Sequence, residues 1–261
     1  MMMIKFLYRL LISGLFCLIL QNGVLAETYV SISPAMTEIV YALNIEDRLL
    51  GVSTRCKYPD DAKNKEKVGD NFFINTEKIL KIKPDYILAL DSSEFMLNKF
   101  KRFKIKPLCF KYPDIESIYE NILAIGKLSG REKRAEEIVQ FSKRRIELAR
   151  KQNKNPKNIL YLADTMPMIS IGKGSFINDI IEKSGHKSVT SELKTSYPVI
   201  MEEYAVLKNP DIIILSIFAD DKRIRRLFPD TKIIRTTSAE SDIINRPGPR
   251  IYKAVEFFAK L

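Results

Sequence analysis

Two segments 126 residues apart carry one pattern: EKILKIKPDYILA from Glu77 to Ala89, and EYAVLKNPDIIIL from Glu203 to Leu215. Each opens on a glutamate, crosses a short mixed stretch to Pro-Asp, and ends in a β-rich apolar run. Only Glu, Pro, Asp and one Ile are identical, so the match gains its weight from what lies between. Arg131 to Asn153 holds neither Gly nor Pro, and Ala135, Val139, Ser142, Ile146 and Ala149 recur at three- or four-residue steps. That spacing predicts one amphipathic helix roughly 33 Å long. Matched units on either side of a stiff rod imply two lobes with a cleft between them, where α/β architectures favour ligands.

The flanking chain alternates strand and helix signals. TYVSIS (Thr28–Ser33) reads as a strand running into SPAMTEIVYAL, where Ser33 suits an N-cap and Pro34 the first helical position. Strands follow at Arg48–Thr54, Tyr86–Leu90 and Ile105–Phe110, with a short helix over Glu77–Ile82 stopped before Pro84. Beyond the rod, Ile159–Asp164, Asp211–Ile217 and TKIIRTT read as strands, SFINDIIEKSG and PRIYKAVEFFAKL as helices. The expected fold class is α/β: two Rossmann-like lobes with mostly parallel central sheets, joined by a single long backbone helix. The expected divisions are a signal peptide at 1–26, an N-terminal lobe at 27–130, the linker helix at 131–154 and a C-terminal lobe at 155–261.

The signal peptide rests on Lys5 and Arg9 without an acid, the eleven-residue apolar run Leu10–Leu20, and the small-residue end Val24-Leu25-Ala26. The run is too short for a membrane span, which takes about 20 apolar residues. Cleavage near Ala26 predicts an exported, periplasmic protein. Removing Lys5 and Arg9 lowers the net charge from +11 to +9. Basic charge of this size favours anionic ligands or membrane surfaces, but no basic stretch forms a nucleic-acid module. Cys56 and Cys109 are too few for a disulfide framework, and their pairing is open. One histidine, His186, cannot build a His-based zinc site and reads as structural, in a turn after a helix.

The chain resembles the periplasmic substrate-binding proteins of ABC importers for cobalamin, haem and iron–siderophore complexes, and looks most like the cobalamin-binding branch. The resemblance is carried in order by Ser31–Pro59, Val68–Ala89, Gly172–Val189, Tyr197–Leu215 and RPGPR (Arg246–Arg250), nearly all of the mature chain. It implies two lobes with little hinge closure, a metal chelate between them and no resident cofactor. It also implies a monomeric protein delivering its ligand to a permease dimer in the inner membrane. One acid per lobe docks on permease arginines in this family, and the matching positions are Glu77 and Glu203, with Glu202 adjacent. Each opens a helix, where a carboxylate suits the dipole.

The resemblance further assigns Arg55, Tyr58, Asn71, Phe72, Phe73, Tyr197, Arg246 and Arg250 to the ligand. Arg55 stands where cobalamin-binding relatives have an aromatic, and a guanidinium there suits a carboxylate or phosphate. Of Arg246 and Arg250, one is expected to face the cleft and the other to pin the Pro-Gly-Pro turn. The chain has no Trp, which those relatives use to cover the corrin; a ferric siderophore or haem therefore stays open beside cobalamin. A sensor or scavenger without a transport role is the alternative of another class. Enzyme readings fail: Pro167 stands where a phosphate loop ending in Gly172-Lys173 needs glycine, and His186 has no local sign of a nucleophile–acid set.

Overall fold

A computed structural model describes residues 26–217 and 219–261. The expected signal peptide thus lies outside the described residues, except for Ala26.

In the first half β1 (Tyr29–Ser31), α1 (Pro34–Ala42), β2 (Leu49–Val52), α2 (Thr76–Ile82), β3 (Tyr86–Leu90), α3 (Glu94–Leu97) and β4 (Lys106–Phe110) follow one another. All four strands pair in parallel, in the order β2-β1-β3-β4. Next come α4 (Ile115–Ser129) and the 21-residue α5 (Glu132–Gln152). The second half contains β5 (Asn158–Thr165), β6 (Met168–Ser170), α6 (Phe176–Lys183), β7 (Lys187–Ser188), α7 (Glu202–Leu207), β8 (Ile212–Leu215), α8 (Asp221–Leu227), β9 (Lys232–Arg235), α9 (Ser238–Ile244) and α10 (Ile251–Ala259). Its sheet runs β6-β5-β8-β9 with β7 beside β5, and only β6 is antiparallel. The protein is therefore α/β with two mostly parallel sheets. Among the described residues no helix is long and apolar enough to cross a membrane.

Strand alternation divides the core. Tyr29, Leu88, Ile159, Tyr161, Ile212 and Ile214 face one common cluster, to which α5 adds Ala135, Val139 and Ile146 and α10 adds Phe258. The alternate residues face private cores: Val30, Ile87 and Ala89 with Phe100 in the first half, Leu160, Ile213 and Leu215 with Ala205 in the second. One face of each sheet is thus shared with the other half and one is its own. The helix α5 crosses α4 closely enough that a Cβ at Gly126 would meet the Ala135 Cβ at 2.5 Å, so glycine is required there.

The Pro-Asp of the doubled pattern has a structural task. Asp85 Oδ2 accepts from the Thr28 amide at 2.8 Å, and Asp211 Oδ2 accepts from the Asn158 amide at 2.7 Å. Each aspartate so holds the residue at the entry of the neighbouring strand. The chain reverses before each proline through a left-handed residue, Lys83 (φ 52°) or Asn209 (φ 43°). Ser33 does precede α1, but its hydroxyl makes no cap bond. The local hydroxyl network runs instead from Thr37 Oγ1 to Ser31 Oγ and from Ser31 Oγ to the Ser33 carbonyl.

His186 is buried where the far ends of α5, α6 and α10 converge. Its Nδ1 accepts from the Lys157 amide at 3.0 Å, which leaves Nε2–H to donate to the Phe258 carbonyl at 2.9 Å. Burial lowers its pKa from 6.5. The unfolded chain therefore takes up a proton that the folded protein resists. This contribution is complete above the unfolded value and is lost as pH falls through the folded one. The melting temperature is expected to drop between about pH 7 and pH 5, and His186→Gln to flatten that slope while costing about 1–2 kcal/mol at neutral pH. Thermal melts across that range check both.

Candidate functional site

In parallel sheets the loops after the strands gather at one edge, and here the two edges meet. Tyr112, just beyond β4, packs edge-to-face on Phe176 of α6, ring centroids 5.8 Å apart. The Ile115 amide donates to Asp179 Oδ2 at 2.9 Å. These contacts close the floor between the halves. Tyr197 lies beside them, 48% exposed as a whole, with desolvation of its hydroxyl raising its pKa. Tyr161 lies beneath, its hydroxyl donating to Asn245 Oδ1 at 3.2 Å.

The expected ligand residues fall into three groups. The first is the loop after β2. Asp70 Oδ1 accepts from the amides of Phe72 and Phe73 at 2.9 and 3.0 Å, and Asp70 Oδ2 from Arg55 Nε at 2.9 Å. Desolvation pushes the Asp70 carboxyl up, yet these donors together hold it below the usual range. So folded, the loop presents Phe72 and Phe73 to solvent, 81% and 72% exposed. The Arg55 guanidinium stands 5.3 Å from the Phe72 ring, while Asn71 Oδ1 is buried with no partner. The second group surrounds Glu38 of α1, whose side chain is 2% exposed. Arg246 Nη1 reaches it at 3.2 Å, and Arg250 donates through Nε at 2.8 Å and Nη2 at 2.7 Å. Both arginines thus pin the C-terminal segment to the first half. Arg250 also lies 3.9 Å over the Tyr58 ring. A cavity of about 740 Å³ opens beside this pair, bounded by Tyr41, Phe141, Arg144 and Tyr252. Tyr197, on the floor, is the third.

Glu77 and Glu203 are both exposed, each in the first turn of its helix. Glu202 differs, because its carboxylate pairs with Arg223. Each exposed acid has exposed apolar neighbours: Phe72 and Phe73 lie just upstream of Glu77, and Glu203 borders a hollow of about 460 Å³ walled by Met166, Val199 and Met201.

Sequence reasoning passed over Tyr112, Phe95, Met166 and Met201. For Tyr112 the signal was present, since Lys-Tyr-Pro-Asp occurs at both Lys57–Asp60 and Lys111–Asp114, each after a strand. Exposed Phe95 and the methionines carry no comparable motif.

The periplasmic binding protein family matches residues 30–248. An uncharacterised ABC transporter substrate-binding lipoprotein of Bacillus subtilis is 29% identical over 247 residues, 88% of this chain and 78% of its own. The vitamin B12-binding protein of Vibrio cholerae is 27% identical over 243 residues, 88% and 87% of the two chains. Among solved structures, a possible iron-binding periplasmic solute-binding protein of Staphylococcus epidermidis superposes with a TM-score of 0.78 at 26% identity, covering 90% of this chain and 97% of that one. The periplasmic vitamin B12 binding protein of Vibrio cholerae gives 0.76 at 25% identity, covering 90% and 96%.

Removing one member of a buried ion cluster strands the others. Glu38→Ala is therefore expected to destabilise the protein by about 3 kcal/mol. Urea unfolding checks this, read as a lower midpoint with an unchanged slope.

Proposed function

The chain belongs to the periplasmic binding protein family, and from that premise we propose that it is an exported, monomeric receptor that captures a cobalamin-type metal chelate for an ABC importer. The observation that carries this reading is the junction between the halves. Tyr112 packs on Phe176 across it, and the two halves share one core, so their relation is set before any ligand arrives. A preformed site avoids the ordering cost of closure, which suits a large rigid ligand. Relatives named vitamin B12-binding proteins span most of the chain, which favours a corrinoid.

In this reading Phe72, Phe73, Tyr58 and Tyr197 supply aromatic surface to the ligand's faces, and Arg55 meets its amide or phosphate edge. Asn71 offers an acceptor. Arg250 and Arg246 act through Glu38, holding Tyr58 in place. Glu77 and Glu203 dock on cationic residues of the permease, steering encounter more than adding affinity. Because Glu202 is engaged by Arg223, the role in the second half falls to Glu203. A second reading, haem or a ferric siderophore, draws on the floor hydroxyls of Tyr112 and Tyr197, which are hard oxygen donors of the kind iron accepts.

Titration with cyanocobalamin, haemin and a ferric-siderophore panel separates the two through melting temperature. Ligand at about 100 times its Kd adds about 2.7 kcal/mol of stability. Stabilisation by ferric complexes alone would end the corrinoid assignment. For transport, Glu77→Lys with Glu203→Lys is expected to abolish uptake while leaving ligand affinity within about twofold. Uptake that survives both reversals leaves a sensor or scavenger. Phe72→Ala with Phe73→Ala is expected to weaken ligand binding about tenfold, the loss of roughly 1.4 kcal/mol of aromatic contact.

A further inference from the structure

The N-terminal half ends in a pole remote from the cleft, where the chain enters β1 and β4 and leaves α2. Lys83, Arg102, Lys104 and Lys106 all project there, exposed. None of the four belongs to an ion pair among the described residues. They are joined by geometry as well as by sequence. Lys83, Phe103 and Lys104 wall one hollow of about 390 Å³. Arg102 lies 4.9 Å over the Phe103 ring, and Lys106 lies 5.5 Å over Tyr86. Lys81, Lys99 and Lys101 flank the group in sequence and are exposed too.

Two acids are present, and both are engaged. Asp85 accepts from the Thr28 amide and hydroxyl at 2.8 Å each, and Glu27 accepts from the Tyr86 hydroxyl at 3.1 Å. Their charges offset part of the field without covering the cations. Phe103, 43% exposed among these cations, gives the pole an apolar point at its centre.

We propose that this pole is a docking surface for an anionic phospholipid bilayer. Unpaired cations around a half-exposed phenylalanine complement phosphate headgroups over an apolar interior, and each basic residue near such a surface adds to binding. A soluble anion would need convergent donors in an enclosed seat, whereas these cations spread over an open hollow. Because the pole lies away from the cleft, a protein held this way keeps its cleft open to ligand. Its search for a membrane partner becomes two-dimensional.

The test is cosedimentation of the full chain, as the expressing cell delivers it, with vesicles of phosphatidylcholine alone and of phosphatidylcholine containing phosphatidylglycerol. Binding is expected only to the anionic vesicles, and to fall steeply as salt rises. Neutralising Lys83, Arg102, Lys104 and Lys106 to Gln together is expected to lower partitioning at least about a hundredfold, from about fivefold per cation. The matched control replaces Arg150, Lys154, Lys187 and Lys260 by Gln, removing the same charge elsewhere, and is expected to bind within about threefold of the parent. Equal losses in the two variants would show a net-charge effect and overturn the proposal. So would equal binding to neutral vesicles, or full displacement by millimolar glycerol phosphate, which would mark a soluble-anion site.

Discussion

The structure depends on one shared apolar face. Ile159, Tyr161 and Ile212 of one sheet and Tyr29 and Leu88 of the other bury into the same cluster, with α5 and α10 filling between them. Rotating one half against the other by more than side-chain adjustment would open that cluster to water, at about 25 cal/mol per Å² of apolar area exposed. A Gly-rich hinge between separate cores would carry no such cost. The buried Glu38 with Arg246 and Arg250 adds a polar restraint on the same relation, because it fails if either half shifts by an ångström or two. The two halves are therefore held in one fixed relation, so a ligand bound between them as proposed would be selected by shape and by rim chemistry more than by closure.

The doubled pattern then has a physical explanation at both of its ends. Its Pro-Asp end builds the fold: the proline stops a short helix after a left-handed residue, and the aspartate holds the entry of the adjoining strand. Its glutamate end lies one short helix away, at the edge where the strands finish, and is exposed in both copies. A unit that sets strand entry at one end fixes the height of the acid at the other. Repeating the unit gives each half one exposed carboxylate in the first turn of the corresponding helix.

Period-based features were legible in the sequence because they are local. The strands around β1, β3, β5 and β8 and the long helix follow from alternation, β-branching and the absence of breakers. Helix α4 was passed over although Asp114 and Gly130 bracket it as caps. The short antiparallel β6 was missed because three residues carry no period. The partnership of Glu38 with Arg246 and Arg250 spans 208 and 212 positions, and no local pattern announces a contact so distant. For the same reason the sequence suggested one cleft-facing arginine and one turn-pinning arginine, where the structure commits both to one carboxylate. The rim was half legible: adjacent phenylalanines on a loop are visible, but the Asp70 bonds that turn both outward depend on backbone geometry.

Charge is distributed unevenly over this basic surface. The four cations of the N-terminal pole form no ion pair among the described residues, although Asp85 lies close enough to feel the charge of Lys106, while Glu77 and Glu203 present negative charge at the strand-end edge. With a Debye length near 8 Å at physiological ionic strength, regions farther apart than that act as independent patches. Net charge then predicts little about any one encounter. With the permease docking and the bilayer docking proposed above, a cationic surface would meet the acids and an anionic surface the pole, so each partner would select a different orientation of the same molecule. Lowering the salt would couple the two patches through their longer-range fields. Neutralising either would then change the rate at which the other finds its partner, without any contact between them.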